Sequence, residues 1–496
     1  MKTQIIKEKC PIKILLVNPP DDLDAMLGAG ANLITPFEPL GLLYIAAVVR
    51  DAGYDVQVID AWVERLSIEE FKKQLKESNP DIVGFTVLTA NGGIVYEVGK
   101  WLKEEMPETV VALGNLHASI YDEYYLKNGC CDFVVHGEGE FGFLEAVRLI
   151  EKGGRDFGSI SSISFLRDGE YVPNKEKGVI NDLSELPLPA RDLVKQELYN
   201  IPSISNLPYS GKKTSIGKHM FTQRGCPYRC SFCTVHHNRK QRSNEVVRAV
   251  DEMETLVKKY GCDYIFIMDS LFIANKKRVH AICEEIQERK LDFRWGCEAH
   301  VRCVDEDLVK AMEAAGCHDM AFGIESGVDR LLKGVTKTTN IELVEKAVRI
   351  VTKNSKIKVS GLFILGLPGE TYDDSLQTIR FAKSLPLDMA QFSILTPYPG
   401  SEIFEDLKEK GEIDTGIRPD GTLDTATWLR YSAYISYTDL DPIWVTPGLT
   451  PEKLKKLQKK AVREFYFRPK QIINQIRRVR FGQIPTILNT AFKSAF

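Results

Sequence analysis

Twice along this chain, short apolar runs alternate with stretches of helical apolar spacing, a pattern that few arrangements other than a helix-covered parallel sheet accommodate. In the first series, residues 13–17, 55–59, 82–86, 109–113 and 133–135 read as strands, and residues 39–52 and 94–105 as helices. Five strands in that order predict an α/β unit with a doubly wound parallel sheet, which binds ligands beyond the carboxyl ends of its strands. Those ends fall at Asn18-Pro19-Pro20, near Thr86, at residues 114–119 and at residues 136–139. In the second series, residues 219–222, 264–268, 292–297, 320–323, 358–365 and 390–395 read as strands. Six strand–helix repeats predict a partial (β/α)6 barrel.

Between the two series, residues 153–213 are broken by Gly, Ser and Pro, and read as a hairpin at 162–172 followed by a linker. After the second series, a Pro- and Gly-containing break at 442–450 precedes a Lys-rich helix at 451–467 and an amphipathic stretch at 471–481 carrying Arg477, Arg478 and Arg480. The expected organisation is therefore residues 1–152, a sheet domain; 153–213, hairpin and linker; 214–429, the barrel; and 430–496, a C-terminal helical domain. With 44% hydrophobic and 27% charged residues the composition is globular, and a formal charge of -3 gives no support to a nucleic-acid partner. The apolar run at 12–17 is too short for a signal peptide and no stretch reaches spanning length, so a cytoplasmic protein is expected. Eleven cysteines, an odd number, fit reduced thiols and metal ligands better than a disulfide framework.

The sharpest motif is Cys226-Pro227-Tyr228-Arg229-Cys230-Ser231-Phe232-Cys233, which follows the first barrel strand after the short turn Gln223-Arg224-Gly225. Thiolates three and then two residues apart converge from one loop, and soft sulfur ligands suit an iron-sulfur cluster or zinc. A structural zinc site takes a fourth ligand, for which His236 or His237 is at hand. A 4Fe-4S cluster held by three thiolates instead leaves one iron open to chelate a substrate.

This spacing resembles that of the radical S-adenosylmethionine superfamily, over residues 214–429. The resemblance implies a 4Fe-4S cluster on Cys226, Cys230 and Cys233, whose free iron binds S-adenosylmethionine and whose electron splits it to a 5'-deoxyadenosyl radical. It also implies Phe232 near the adenine, Glu325 and Ser326 of Gly323-Ile324-Glu325-Ser326 near the ribose, and Gly361 in the strand that runs past the adenine. Asp269, at the end of the second barrel strand, is a candidate for the amino group of methionine, and Glu298 and Arg302 follow the third strand. Glu325 as a helix cap or surface ion pair, and Gly361 as relief of backbone crowding, are the bland alternatives.

In the front unit, Gly114-Asn115-Leu116-His117-Ala118-Ser119, Val135-His136-Gly137-Glu138-Gly139-Glu140 and Pro39-Leu40-Gly41-Leu42 follow or open elements of the sheet. In this order, ahead of the cysteine motif, they resemble the flavodoxin-like cobalamin-binding domain of cobalamin-dependent radical S-adenosylmethionine enzymes. The implied cobalamin contacts are Asn18, Pro19, Thr86, Gly114, Asn115, His117, Ser119, Gly137 and Glu138. Asn115 stands where family members often have a second Gly, and the Asp-x-His-x-x-Gly motif of methionine-synthase-like domains is absent. His117 is accordingly expected as a loop or tail contact rather than a cobalt ligand. The lower face of cobalt is left open, held by water, or capped from residues 18–38. A sheet domain without cofactor, serving as a docking surface, is the alternative.

The resemblance implies C-methylation of an unactivated carbon from methylcobalamin as the leading reaction. The tail Phe465-Tyr466-Phe467-Arg468-Pro469, with the basic stretch behind it, resembles the anaerobic tetrapyrrole cyclase and hopanoid-processing members. It keeps radical ring closure, oxidation or rearrangement of a lipid or tetrapyrrole as the second reading. A non-catalytic cobalamin or redox sensor is the third. Expected partners are a small-molecule or lipid-like substrate and an electron donor such as flavodoxin or ferredoxin. The basic amphipathic tail reads either as a peripheral membrane contact or as a helix packed on the barrel with its arginines in water.

Overall fold

The computed structural model describes residues 12–21, 23–27, 36–199, 216–234, 239–469 and 471–473. The chain forms two compact units: Met1–Asp21 with Pro39–Ile180 and Glu185–Gln196, and Asp22–Glu38 with Asn181–Ser184 and Glu197–Phe496.

The first unit is built on β1 (Lys13–Asn18), β2 (Asp55–Asp60), β3 (Ile82–Thr86), β4 (Val110–Gly114), β5 (Phe133–Val135), β6 (Ile163–Arg167) and β7 (Glu170–Val172), in the spatial order β2-β1-β3-β4-β5-β6-β7. The first five strands are parallel. The order reverses at β1, the arrangement that opens a crevice at the strand ends. The hairpin, expected to stand outside the sheet domain ahead of a linker, belongs to the sheet: β6 pairs antiparallel with β5 and extends it to seven strands. A three-residue β5 would otherwise present unpaired N–H and C=O groups. The parallel strands bury both faces, and the helix Leu40–Asp51 sets Leu42, Ala46 and Val49 in one core with Ile14 and Leu16 of β1.

The second unit carries β8 (Gly217–Met220), β9 (Gln223–Arg224), β10 (Arg242–Ser243), β11 (Tyr264–Ile267), β12 (Arg294–Ala299), β13 (Cys317–Glu325), β14 (Lys358–Leu365) and β15 (Met389–Ile394). Six of these form a wholly parallel sheet in sequential order from β8 to β15, the topology of a partial barrel, while β9 and β10 pair as a short antiparallel ribbon. The helices between strands start on good N-caps: Asn275, Asp305, Asn340 and Thr371 each accept a backbone N–H through the side chain. Alternate strand residues such as Ile265, Trp295, Phe322, Phe363 and Ile394 pack under those helices. The residues between them, including Glu298, Ala321, Gly323, Ser360, Leu362 and Gln391, stay partly or fully open, so the concave face of the sheet is available to a ligand.

Two segments expected elsewhere belong to this unit. The helix Pro451–Tyr466 buries Leu454, Leu457, Ala461 and Phe465 in the same core as the six strands, and Gln458 Nε2 donates to the carbonyl oxygens of Phe392 and Ala433 at 2.6 and 2.9 Å. It covers the helix-side face of β15 and does not form a separate helical domain. Ahead of the first long helix, the Met26 carbonyl accepts from Ser432 Oγ at 2.9 Å, and Glu38 pairs with the buried Lys218 of β8 at 3.4 Å. Residues 28–35, in the stretch expected to reach the lower face of cobalt, lie outside the described residues, as do His236, His237 and residues 474–496. Among the described residues no helix is long and apolar enough to cross a membrane.

Candidate functional site

The cysteine loop leaves β8 through Thr222 and Gln223, which are pinned by one buried carboxylate. Asp269 Oδ1 accepts the backbone N–H groups of Thr222 and Gln223 at 2.7 and 3.0 Å, and Oδ2 accepts Thr222 Oγ1 at 2.5 Å. Arg278 closes the cluster, donating to Thr222 Oγ1 and to the Thr222 carbonyl at 3.1 Å each. Asp269 is fully buried, and burial pushes its carboxyl up to about 6 despite those hydrogen bonds. The candidate contact to the amino group of methionine is thus spent on holding the loop: its side chain has no face left for a ligand. The expected turn at residues 223–225 is in fact the start of the β9–β10 ribbon, a second anchor.

Beyond the ribbon, Cys226, Cys230 and Cys233 are half-buried and joined in no disulfide. A turn closes from Cys233 N to the Cys230 carbonyl at 3.0 Å, and Ser231 is held on both sides, its N–H donating to the Val335 carbonyl at 3.1 Å and its carbonyl accepting from Ile403 N at 3.0 Å. Burial pushes the Cys230 thiol up to about 11, opposed by the nearby Lys337 ammonium. A thiol in that state needs a metal to become a thiolate, and coordination deprotonates it outright. Among the described residues no three His, Cys, Asp or Glu side chains are set to hold a metal ion. A 4Fe-4S cluster places each thiolate on a different iron, so its donors need not meet at one point as around zinc, and three thiols on one eight-residue loop fit it by number and chemistry.

The polar groups beside the loop come from the ends of β12 and β13 and from Lys337, just past the short helix Asp329–Gly334. Lys337 pairs with Glu325 at 2.7 Å, both side chains buried, and its ammonium lies 6.0 Å from the centre of the Phe232 ring. Glu325 adopts a left-handed backbone with φ 65°, a strain of about 1–3 kcal/mol for such a residue. Gly323 makes room for the pair, since a Cβ there would lie 2.6 Å from Glu325 Oε1 and 3.0 Å from Lys337 Nζ. Glu298 opens onto the concave face, and its carboxyl is pushed up by the surrounding protein first and the Glu325 charge second. Arg302, also exposed, lies within a one-turn helix at Val301–Cys303. His300 stacks on Tyr228 of the loop, with ring centres 4.5 Å apart.

Of the residues expected at S-adenosylmethionine, Phe232, Glu298, Glu325 and Arg302 therefore belong to the surroundings of the loop. Ser326 and Gly361 do not. Ser326 is fully buried, sharing a hydrogen bond with Thr378 at 3.2 Å and accepting from Val328 N. Gly361 points to the helix side, where a Cβ would lie 2.8–3.0 Å from Leu387, Phe363 and Ile324, so its smallness serves packing. Lys337 and His300 escaped the sequence reading. His300 stands two residues beyond Glu298, on the same face of the strand end, which is the only local signal for it.

In the first unit, Asn115 has φ 77°, caps the short helix Leu116–Ile120 through Oδ1, and donates Nδ2 to Thr86 Oγ1 at 3.0 Å. Ser119 Oγ returns a bond to the Asn115 carbonyl at 3.0 Å. A Cβ on Gly114 would meet nothing closer than 4.0 Å, and Leu88, just past β3, leaves 47% of its surface exposed. An open glycine, an exposed leucine and an exposed Asn at neighbouring strand ends fit a large ligand lying over them. Asn18 donates to Asp60 at 2.8 Å and Pro19 is buried behind it. His117 is buried, bonded through Nδ1 to Thr89 Oγ1 at 3.2 Å and packed on Tyr121, and burial holds its imidazole neutral, down to about 3. Gly137 and Glu138 have a structural task. Gly137, at φ 81°, bridges to Gly178, and Glu138 Oε2 accepts Ile180 N at 2.6 Å.

Residues 27–147 match the family model for the B12 binding domain, and residues 220–382 match that for the radical SAM superfamily. An uncharacterized methyltransferase of Pyrococcus horikoshii is 34% identical over 94% of this chain and 95% of its own. The chain belongs to the cobalamin-dependent radical S-adenosylmethionine enzymes. Its cofactors are a 4Fe-4S cluster, S-adenosylmethionine and cobalamin. This enzyme is also similar to the anaerobic magnesium-protoporphyrin IX monomethyl ester cyclase of Rubrivivax gelatinosus, at 30% identity over 77% of the chain and 69% of the cyclase. In fold it resembles the radical S-adenosylmethionine methyltransferase TsrM from Kitasatospora setae, with a TM-score of 0.66 at 20% identity over 95% of this chain and 90% of that one.

Proposed function

We propose that the enzyme C-methylates an unactivated carbon of a small molecule. The observation that carries the reading is the trio of cysteine thiols, which would hold the cluster, beside an open concave face edged by Glu298 and the Glu325–Lys337 pair. When bound, the cluster supplies the electron that splits S-adenosylmethionine and yields the 5'-deoxyadenosyl radical; bound cobalamin supplies the methyl group. The chain's own residues position the reactants. With S-adenosylmethionine bound, Glu298 would take the ammonium of the methionine moiety, Phe232 would line the adenine, and Glu325, held by Lys337, would serve the ribose. Gly114, Thr86 and Asn115 border the corrin. Support for methyl transfer over other radical outcomes is the similarity to a methyltransferase along nearly the whole chain.

The similarity to a cyclase keeps ring closure without methyl transfer as the second reading. Anaerobic incubation with methyl-labelled S-adenosylmethionine and cell lipid and pigment extracts separates the two. Methylation yields labelled product with S-adenosylhomocysteine and 5'-deoxyadenosine together, whereas deoxyadenosine alone would overturn it. The electron reaches the cluster from a donor of the flavodoxin or ferredoxin type. Exposed Phe467, Ile472 and Ile473, near the exposed cations Lys456 and Arg463, support a peripheral contact with an anionic membrane. Sedimentation with anionic liposomes tests it, and equal sedimentation of a variant lacking residues 470–496 would remove the support.

A further inference from the structure

Between the ribbon and Cys230 the cysteine loop joins no strand or helix, so side chains must fix its path. Tyr228 lies midway between the first two cysteines. Its ring is stacked on the imidazole of His300 with centres 4.5 Å apart and planes 24° from parallel. Thr338 joins both, hydrogen-bonded to the Tyr228 side chain and 3.4 Å from His300 Nε2. On the other side, His300 Nδ1 accepts the backbone N–H of Arg302 at 3.3 Å, which fixes the imidazole at the end of β12. Thr338 directly follows Lys337, the partner of Glu325. One buried imidazole thus links the middle of the loop, the end of β12 and the segment carrying the Glu325–Lys337 pair.

We infer that His300 is a positioning residue that holds the cysteine loop in its ligating path by stacking on Tyr228. The two hydrogen bonds of the imidazole, at 3.3 and 3.4 Å, are long and orient the ring; the stack carries the load on the loop. Burial is the first cause that lowers the imidazole, to about 4, so the stacked ring is neutral across the working pH range. An aromatic pair of this geometry shifts the loop's conformational equilibrium roughly two- to tenfold. The inference rests on the reading of the loop as the cluster site.

The test is the rate at which anaerobically reconstituted protein releases iron to a ferrous chelator. His300→Ala is expected to release iron roughly two- to tenfold faster than the native protein. His300→Phe, which keeps a ring but neither hydrogen bond, is expected to restore the native rate. Tyr228→Ala should accelerate release as His300→Ala does, and the double variant should add nothing further, since both remove one interaction. Native-like release from His300→Ala, failure of Phe to rescue it, or independent effects in the double variant would each overturn the clamp. Native protein that takes up no iron would instead overturn the cluster reading itself.

Discussion

Asp269 offers the most quantitative test of how the cysteine loop is held. Replacing it with Ala strands two buried backbone N–H groups, those of Thr222 and Gln223, each worth about 1–3 kcal/mol when unsatisfied. The Thr222 hydroxyl keeps Arg278 as a donor partner and can turn, so its loss is smaller. Against this stands relief from burying a charge: the carboxyl is raised from 3.8 to about 6, and each unit corresponds to about 1.4 kcal/mol. At pH 8 the relief of about 3 kcal/mol offsets much of the loss and leaves Asp269→Ala within about 3 kcal/mol of native, whereas near pH 4, where the native carboxyl carries little charge, the lost hydrogen bonds cost about 2–6 kcal/mol. Asp269→Asn keeps an acceptor for both N–H groups and is expected to lie within about 1 kcal/mol of native near pH 4, where the native carboxyl is also largely uncharged.

The sign of the pH dependence follows from the raised carboxyl. Its protonated form is favoured in the fold, so its contribution is fully present below about 4 and is lost as pH rises through about 6. Relative to Asp269→Asn, the native protein should therefore lose stability across that window. Urea unfolding of the apo-protein at several pH values, with iron content after reconstitution, reads both effects. An Ala variant with native stability near pH 4 and native iron content would refute the assignment of Asp269 as the loop's anchor.

Glu370, buried after β14, accepts Gly366 N, Leu367 N and Ser375 Oγ, and burial pushes it up to about 7. Native stability should fall as pH rises from about 5 to 8 relative to Glu370→Gln, by thermal unfolding. Gly361→Ala should destabilise by about 1–3 kcal/mol through overpacking while leaving S-adenosylmethionine affinity unchanged; weaker binding at native stability would return Gly361 to the ligand site. Glu298→Gln should weaken S-adenosylmethionine binding about tenfold, as loss of one charge-assisted hydrogen bond implies, without loss of cluster iron. Unaltered affinity would remove Glu298 from the site.

The two parallel sheets and the cysteine loop were legible because they rest on local signals: periodicity of 2 against 3.6, and a fixed cysteine spacing. Positions at strand ends were legible as well, but not the direction each side chain takes there. Asp269, Ser326 and Gly361 all sit at or in the right strands, yet turn toward the loop's own backbone, toward Thr378 and toward the helix-side core. Gly137 and Glu138 likewise serve the segment at 178–180. That partner is remote in sequence, so no spacing rule announces it. Lys337 was invisible for the same reason: its value comes from Glu325, a pairing made by tertiary structure. The hairpin and the last long helix were read correctly as elements and misplaced, because pairing of β6 with β5 and burial of Leu454 and Phe465 depend on which edge and which face remain uncovered.

The central claim is that Cys226, Cys230 and Cys233 leave one iron of a 4Fe-4S cluster free for S-adenosylmethionine. Electron paramagnetic resonance of the reduced, anaerobically reconstituted enzyme, before and after adding S-adenosylmethionine, tests it directly. The account predicts a 4Fe-4S signal that changes on addition. A zinc-loaded protein without that signal, or a cluster whose spectrum ignores S-adenosylmethionine, would contradict it.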